Sequence, residues 1–327
     1  MGGCGGECGG GIGGGGVLTR RRWLFPASGR VAARLSWGWA AGVVLLFTLT
    51  SAALGPRAGD RGRPGGDRVA AVTYRESPLP IPPGRGWFVG LVDSLTVNGF
   101  TTTHRGTGPL IAEVSREPAT VAMRVVVRGR EDGAGPVPIS YLHVAGDSAA
   151  VAFVGEDDLA AMLVVTRRAW DWGLAMPTLR LEGVFVGRSV ADPVPLVLEA
   201  WSAPDTLRLS ARSADFEGVR SMALTPLIGW ALIQTVFAIG GDGELLAHIC
   251  WIAALMMPIG WWGMQAGTRS WQVLGISAAW TVAGAMASPW WFGVAPVGMW
   301  DWVLLAGCLA AGAGAGRGAA RRTTAPR

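Results

Sequence analysis

The sequence predicts a multi-domain membrane protein, with an all-β sandwich outside the bilayer and an α-helical transmembrane bundle of about five helices in all. Three observations lead there. The 327 residues are 50% hydrophobic and only 16% charged, against about 25% charged in soluble domains. Two regions, 35–56 and 221–316, are almost free of charge. Between them lie short alternating apolar segments punctuated by Gly, Asp and Pro, the texture of a β domain. The composition argues against a soluble cytoplasmic enzyme, a disordered chain and a disulfide-stapled module, since 4 Cys in a chain this long set no framework.

Residues 1–34 form a Gly/Arg-rich tail. Its GGCGGECGGGIGGGG stretch is low in complexity and precedes an apolar run. It therefore lacks the strand before it that a phosphate-binding turn requires. Residues 35–56 are 22 uncharged residues preceded by Arg20, Arg21, Arg22, Arg30 and Arg34, long enough to span a bilayer. A cleaved signal peptide is the competing reading, with the Ala-rich stretch at 51–54 near its cleavage point. The long leader favours a true span. Residues 57–68 read as a flexible linker.

Residues 69–220 should form the sandwich, placed in the periplasm. Segments such as TVAMRVVVRG (120–129), PLVLEAWSA (195–203) and TLRLSARS (206–213) have the period of two that half-buried strands show. Trp87, Phe88, Phe100, Phe153, Trp170, Trp172, Phe185 and Trp201 are expected on the inner faces. Trp170 or Trp172 is alternatively a carbohydrate- or pigment-facing aromatic. Between residues 69 and 222 there are 17 acidic residues and 14 Arg, so the +5 of the whole chain belongs to its tails and membrane flanks. That pattern suits anionic lipid headgroups rather than nucleic acid.

Residues 221–316 read as four further helices, at about 223–241, 245–264, 271–288 and 297–315. They are apolar all round, so lipid is their natural solvent. Trp261, Trp262, Trp271, Trp290, Trp291, Trp300 and Trp302 fall near helix ends, as in an interfacial belt. Small residues at 278–285 and 307–313 mark close helix contacts, within the bundle or with other subunits. Residues 317–327 form a basic tail. Five crossings from an inside N-terminus put this tail outside, and Arg57, Arg61, Arg63 and Arg68 also follow the first crossing, so the rule that favours Arg on the cytoplasmic side is split.

Chemistry is sparse. The sequence has no Walker A, zinc spacing, HExxH or GxSxG motif. No catalytic residue and no metal ligand is assigned. His104 and His143 are isolated. His248, with Cys250 two residues on, is the one candidate for cofactor binding: its imidazole can ligate a metal or a chlorin magnesium. Hydrogen bonding across helices is the preferred reading. Glu156, Asp157 and Asp158 read as a solvated turn, with calcium as the alternative. Asp301, between Trp300 and Trp302, reads as a membrane-edge residue. Cys250 and Cys308 read as small buried hydrophobes.

WFVGLVDSLTVNGF (87–100), LRLEGVFVG (179–187) and LTPLIGWALIQTVFA (224–238) resemble stretches of bacterial membrane proteins related to the VanZ family. Some of these join a concanavalin- or laminin-G-like sandwich to a small helical membrane unit. The likeness covers residues 70–315 and implies a concanavalin-like fold for the β domain. It departs from that family in the polar residues near the membrane, of which only His248, Gln265, Arg269 and Asp301 remain. In size and plan the chain is also similar to accessory subunits of bacterial photosynthetic reaction centre–light-harvesting complexes. That similarity implies a non-catalytic brace in the bacterial inner membrane, with reaction-centre and antenna subunits as partners. Bacteriochlorophyll, carotenoid or lipid would be neighbours, not ligands of named residues. A membrane-tethered lectin-like protein and a VanZ-like cell-envelope enzyme are the alternatives.

Overall fold

The computed structural model describes residues 28–55, 72–74, 88, 90–107, 110–115, 120–129, 137–144, 150–157, 159–189, 194–233 and 242–324. The chain divides into two compact units. One comprises Met1–Gly42, Ala253–Thr281 and Leu304–Arg327; the other comprises Val43–Ile252 and Val282–Val303.

The second unit contains twelve strands in two six-stranded sheets. The first sheet is built from β1 (Val72–Tyr74), β4 (Leu110–Val114), β6 (Val137–Val144), β7 (Ala150–Asp157), β8 (Ala160–Val165) and β9 (Thr178–Leu181), in the order β1-β4-β6-β7-β8-β9. Its β4–β6 pair is parallel and the other pairs are antiparallel. The second sheet is antiparallel throughout, in the order β12 (Glu217–Ala223), β11 (Thr206–Arg212), β10 (Leu196–Ser202), β5 (Val121–Arg128), β2 (Leu91–Val97) and β3 (Phe100–Thr107). Asn98 and Gly99, both at positive φ, close the β2–β3 hairpin. An Asn-Gly pair adopts that backbone with little strain and matches the strand twist.

Alternation decides which side chains turn inward. In β5, Val121, Met123, Val125 and Val127 are buried while Ala122, Arg124 and Arg128 are exposed. In β10, Leu196, Leu198 and Ala200 are buried while Glu199 and Trp201 point out. The inward residues of both sheets, Leu142, Val154 and Leu163 of the first and Leu95, Leu198 and Leu209 of the second among them, belong to one hydrophobic core.

The aromatic residues expected inside divide. Phe88 and Phe185 are buried. Phe100, Trp170, Trp172 and Trp201 are exposed instead. Trp201 has the outward parity of Glu199, Phe100 begins β3 beside the turn, and Trp170 lies in a short helix, α2 (Arg168–Asp171), with Trp172 next to it. Trp87 and the side chain of Phe153 lie outside the described residues. The segment 179–187 is strand only to Leu181. Gly183 and Gly187 have positive φ, so Glu182–Gly187 turns, and Phe185 is carried into the core with its N–H bonded to the Leu159 carbonyl at 3.0 Å.

Six α-helices occur among the described residues. Besides α2 they are α1 (Gly29–Leu54), α3 (Gly229–Ile233), α4 (Asp242–Met264), α5 (Ser270–Phe292) and α6 (Met299–Thr324). Three are long and apolar enough to cross a membrane, over Gly29–Leu54, Gly243–Met264 and Met299–Arg322. Five such helices were expected; α5, at the expected 271–288, is long enough but not among the three apolar ones, and the other discrepancy lies at 223–241. Ser221, Met222 and Ala223 belong to β12. A 3-10 turn, Pro226–Ile228, and the five-residue α3 follow, and 234–241 lies outside the described residues. Pro226 at the start of the turn and the strand pairing before it replace the first half of the expected span.

In the unit that holds the sheets, the hydrophobic core continues into helix ends. Ala53 and Leu54 of α1, Leu224, Ile228, Leu232 of α3 and Val294 after α5 belong to the same core as the strands. Backbone bonds reinforce this: Leu224 N–H to Asp205 O at 2.8 Å, Ala295 N–H to Leu224 O at 3.0 Å, and Ala175 N–H to Leu232 O at 2.9 Å. Ser51 donates to the Ser288 hydroxyl at 3.2 Å, joining α1 to α5.

The other unit is helical, and small residues set its contacts. A Cβ on Gly260 of α4 would lie 2.3 Å from the Leu309 carbonyl oxygen, one on Gly312 of α6 2.2 Å from Met257 O, and one on Gly316 2.5 Å from Trp261 O. The two backbones therefore touch directly, the packing that small residues permit where lipid supplies no hydrophobic drive. Gly307, Gly314 and Gly318 have nothing within 4 Å of a Cβ, so the contact uses one face of α6 only. The Ser36 hydroxyl donates to Ile259 O at 3.2 Å and lies 3.0 Å from Ser277 Oγ. Ser36 has one proton to give, so Ser277 is the donor in that pair. Trp39 Nε1 donates to Leu255 O at 2.9 Å, and its ring meets Trp262 edge-on at 5.9 Å.

Candidate functional site

Two arrangements of polar and aromatic side chains lie in the unit that holds the sheets. The first is a polar junction between strand and helices. Arg220 of β12 donates to Arg180 O at 2.8 Å and pairs with Glu244 in the first turns of α4. One turn further along α4, His248 Nε2 lies 2.9 Å from Asp301 Oδ1. Trp230 of α3 donates from Nε1 to His248 Nδ1 at 3.4 Å. An indole N–H only donates, so Nδ1 accepts and the ring proton sits on Nε2, facing the Asp301 carboxylate. Asp301 lies in the first turn of α6, where the helix dipole favours a negative charge. Both imidazole nitrogens are thus engaged. Ligation of a metal or chlorin by His248 would have to displace Trp230 or Asp301.

This junction has a measurable energetic signature. Arg220 and Glu244 are each less than a third exposed, so their interaction is only partly screened. Arg220→Ala and Glu244→Ala should each lower thermal stability, and the double variant should lose less than their sum, by about 0.5–3 kcal/mol. Thermal unfolding of the four proteins in one detergent measures that coupling. A value near zero would mean that the pair does not hold β12 to α4.

The second arrangement is a groove of about 760 Å³ on the outer face of the second sheet. Strand register orders its lining. One row across the sheet runs Ala122, Trp201, Arg208, Ser221; the next runs Thr96, Arg124, Glu199, Ser210, Val219. Trp201 is 39% exposed at the centre. Arg124 and Glu199 form an ion pair at 3.3 Å. The Arg208 guanidinium makes no ion pair or hydrogen bond among the described residues.

Elsewhere the sequence candidates scatter. His143 is buried in β6, with Nδ1 3.3 Å from Val144 O; the His104 side chain lies outside the described residues. Glu156 is not in a solvated turn: it is a buried residue of β7. Asp158 and the side chain of Asp157 lie outside the description. Cys250 is exposed and Cys308 half-exposed, so neither is the buried hydrophobe expected. Cys4 and Cys8 lie outside the described residues. Among the described residues no group of three or more His, Cys, Asp or Glu could hold a metal ion. Outside both sites, Asp215 accepts from Ser213 Oγ at 2.6 Å, which holds its carboxyl below the usual range, with Arg188 adding to the effect.

No family model, curated protein or solved structure matches the chain.

Proposed function

We propose that this chain is a non-catalytic scaffold subunit of a membrane protein complex, embedded in the bacterial inner membrane with its β domain in the periplasm. The observation that carries the reading is the shared core: Ala53, Leu54, Leu224, Ile228, Leu232 and Val294 pack with the strands. A tethered module needs only a linker. A brace must transmit position from helices to domain, and a common core with backbone bonds does so. The two sheets then act as a concanavalin-like sandwich clamping the outer faces of partner subunits.

Charge placement supports the orientation. In one unit Ser36 pairs with Ser277, and in the other Ser51 pairs with Ser288, so each unit joins α1 to α5. Helix α5 is 23 residues without a charged side chain, and we count it as a fourth crossing. Four crossings bring the N-terminal arginines, Arg269, Arg317, Arg321 and Arg322 to one side, where five would split them. These then follow the cytoplasmic preference of Arg, while Arg57, Arg61, Arg63 and Arg68, after the first crossing, stay on the other side. A C-terminal reporter that works only in the cytoplasm should be active; activity only of a periplasmic reporter at that end would refute the four-crossing topology.

The exposed helix faces, with Trp280, Trp290, Trp291 and Trp300 more than three-fifths exposed, face lipid or partner helices. The similarity in size and plan extends the reading to a photosynthetic reaction centre–light-harvesting complex, with bacteriochlorophyll and carotenoid as neighbours. Extraction in a mild detergent should leave the chain in a large assembly, and the absorption spectrum of that assembly identifies a pigment complex. Migration solely as a free monomer would defeat the scaffold reading.

A further inference from the structure

We propose that the groove on the outer face of the second sheet binds a carboxylated saccharide, a hexuronate unit whose ring lies on Trp201 and whose carboxylate meets Arg208. This is independent of the scaffold reading: a brace needs no such groove.

The place of the groove in the sheet restricts its occupant. Trp201 lies on β10, which is paired on both sides, to β5 and to β11. No backbone donor or acceptor is left there for an added strand, so a peptide cannot bind by extending the sheet. The ligand is read by side chains alone. At the centre is an indole with two-fifths of its surface open. An apolar ring face bordered by polar groups is the surface on which the C–H face of a sugar stacks while its hydroxyls reach the rim.

The rim is spaced for this. Strand neighbours are about 5 Å apart and same-face residues along a strand about 7 Å, so one cell of the array is the size of a pyranose ring. Ala122, opposite Trp201 on β5, adds only a methyl group and leaves the space beside the ring open. Glu199, two residues from Trp201 on the same face, is held by Arg124 at 3.3 Å. That pair offers an acceptor and donors at neighbouring points, the pattern that vicinal hydroxyls satisfy.

Charge then selects the sugar. The groove holds two guanidinium groups and one carboxylate. Arg124 is engaged by Glu199; Arg208, directly opposite Trp201 on β11, is free to form a two-pronged bond with a carboxylate. One spare cation is far too little for a nucleic-acid backbone. It matches one carboxylate per sugar.

Isothermal titration of the full chain in detergent tests the assignment, with an oligogalacturonate and a neutral maltooligosaccharide of the same length as probes. The oligogalacturonate should bind. Trp201→Ala should weaken it about tenfold or more, as for an aromatic anchor at the centre of a contact. Trp201→Phe should restore part of the loss, which separates stacking from misfolding. Arg208→Gln should remove the preference for the acidic sugar over the neutral one. Several results would overturn the proposal: binding of neither sugar, equal binding of both, unchanged affinity in Trp201→Ala, or capture of a Glu-rich peptide alone.

Discussion

Gly312→Ala should destabilise the full chain by about 1–3 kcal/mol, the cost of forcing extra volume into a packed contact. The new Cβ would sit 2.2 Å from the Met257 carbonyl oxygen. That oxygen belongs to the α4 backbone and has no side-chain torsion by which to move away. The helices must part, and parting them strips the neighbouring contacts of Gly260 and Gly316 as well. Gly314→Ala, two positions along the same helix, is the control. Nothing lies within 4 Å of its Cβ, so only the backbone effect remains, a gain of about 0.5–1 kcal/mol from replacing Gly inside a helix. The two substitutions are chemically identical and should move the unfolding temperature in opposite directions. Gly260→Ala should behave like Gly312→Ala. Combining them should cost less than their sum, because a gap opened for one methyl also admits the other. If Gly312→Ala and Gly314→Ala unfold alike, α4 and α6 do not touch at this point.

Much of the β domain was legible because alternation is a local property. The runs at 120–129, 195–203 and 206–213 become β5, β10 and β11 with the expected period. The same parity could have placed Trp201 correctly: Leu198 and Ala200 turn in, so Glu199 and Trp201 must turn out. The expectation that aromatic residues fill the inner faces places Trp201 inside against that parity. The Asn98–Gly99 signal is also present in the sequence, and it joins β2 to β3, whose Thr-rich start carries little apolar alternation. At 182–187 the apolar letters suggested a continuing strand, but two glycines at positive φ turn the chain. At 221–241 a charge-free window concealed β12, whose weak alternation of Glu217, Val219 and Ser221 ends where Pro226 starts a turn.

The polar junction was not legible, because its parts are far apart in sequence. His248 and Asp301 are 53 positions apart, and Arg220 and Glu244 are 24. The sequence singles out His248 and Asp301 as unusual residues near a membrane without pairing them, and gives no signal for Arg220 with Glu244. The small residues of α6 were legible as a contact face, but which side was used depended on α4. Gly312 and Gly316, one turn apart, meet its backbone, and Ala313 lies against Gly260, while Gly307, Gly314 and Gly318 have nothing near them.

Phe185→Ala should be the costliest single truncation in the β domain, at about 3–5 kcal/mol. The ring is completely buried, although the residue sits in a turn and not in a strand. Its position is fixed from both sides. Gly183 and Gly187 bend the chain on either flank, and its own N–H bonds Leu159 O. The backbone therefore cannot collapse into the space that truncation leaves, and the cavity persists. Val186, the next residue, is 60% exposed, and Val186→Ala should change stability by no more than about 0.5 kcal/mol. Denaturant unfolding of the full chain, followed by protease sensitivity of the β domain, separates the two. A domain is stable by about 5–15 kcal/mol, so the Phe185 loss is a large fraction of the whole. The same core contains Ala53, Leu54 and Val294 at helix ends, so loosening it should also weaken the mechanical link that the proposed scaffold role requires. Phe185→Ala should then reduce recovery of the intact assembly in mild detergent while Val186→Ala leaves it unchanged. Equal recovery with a destabilised β domain would mean that the helices alone hold the complex.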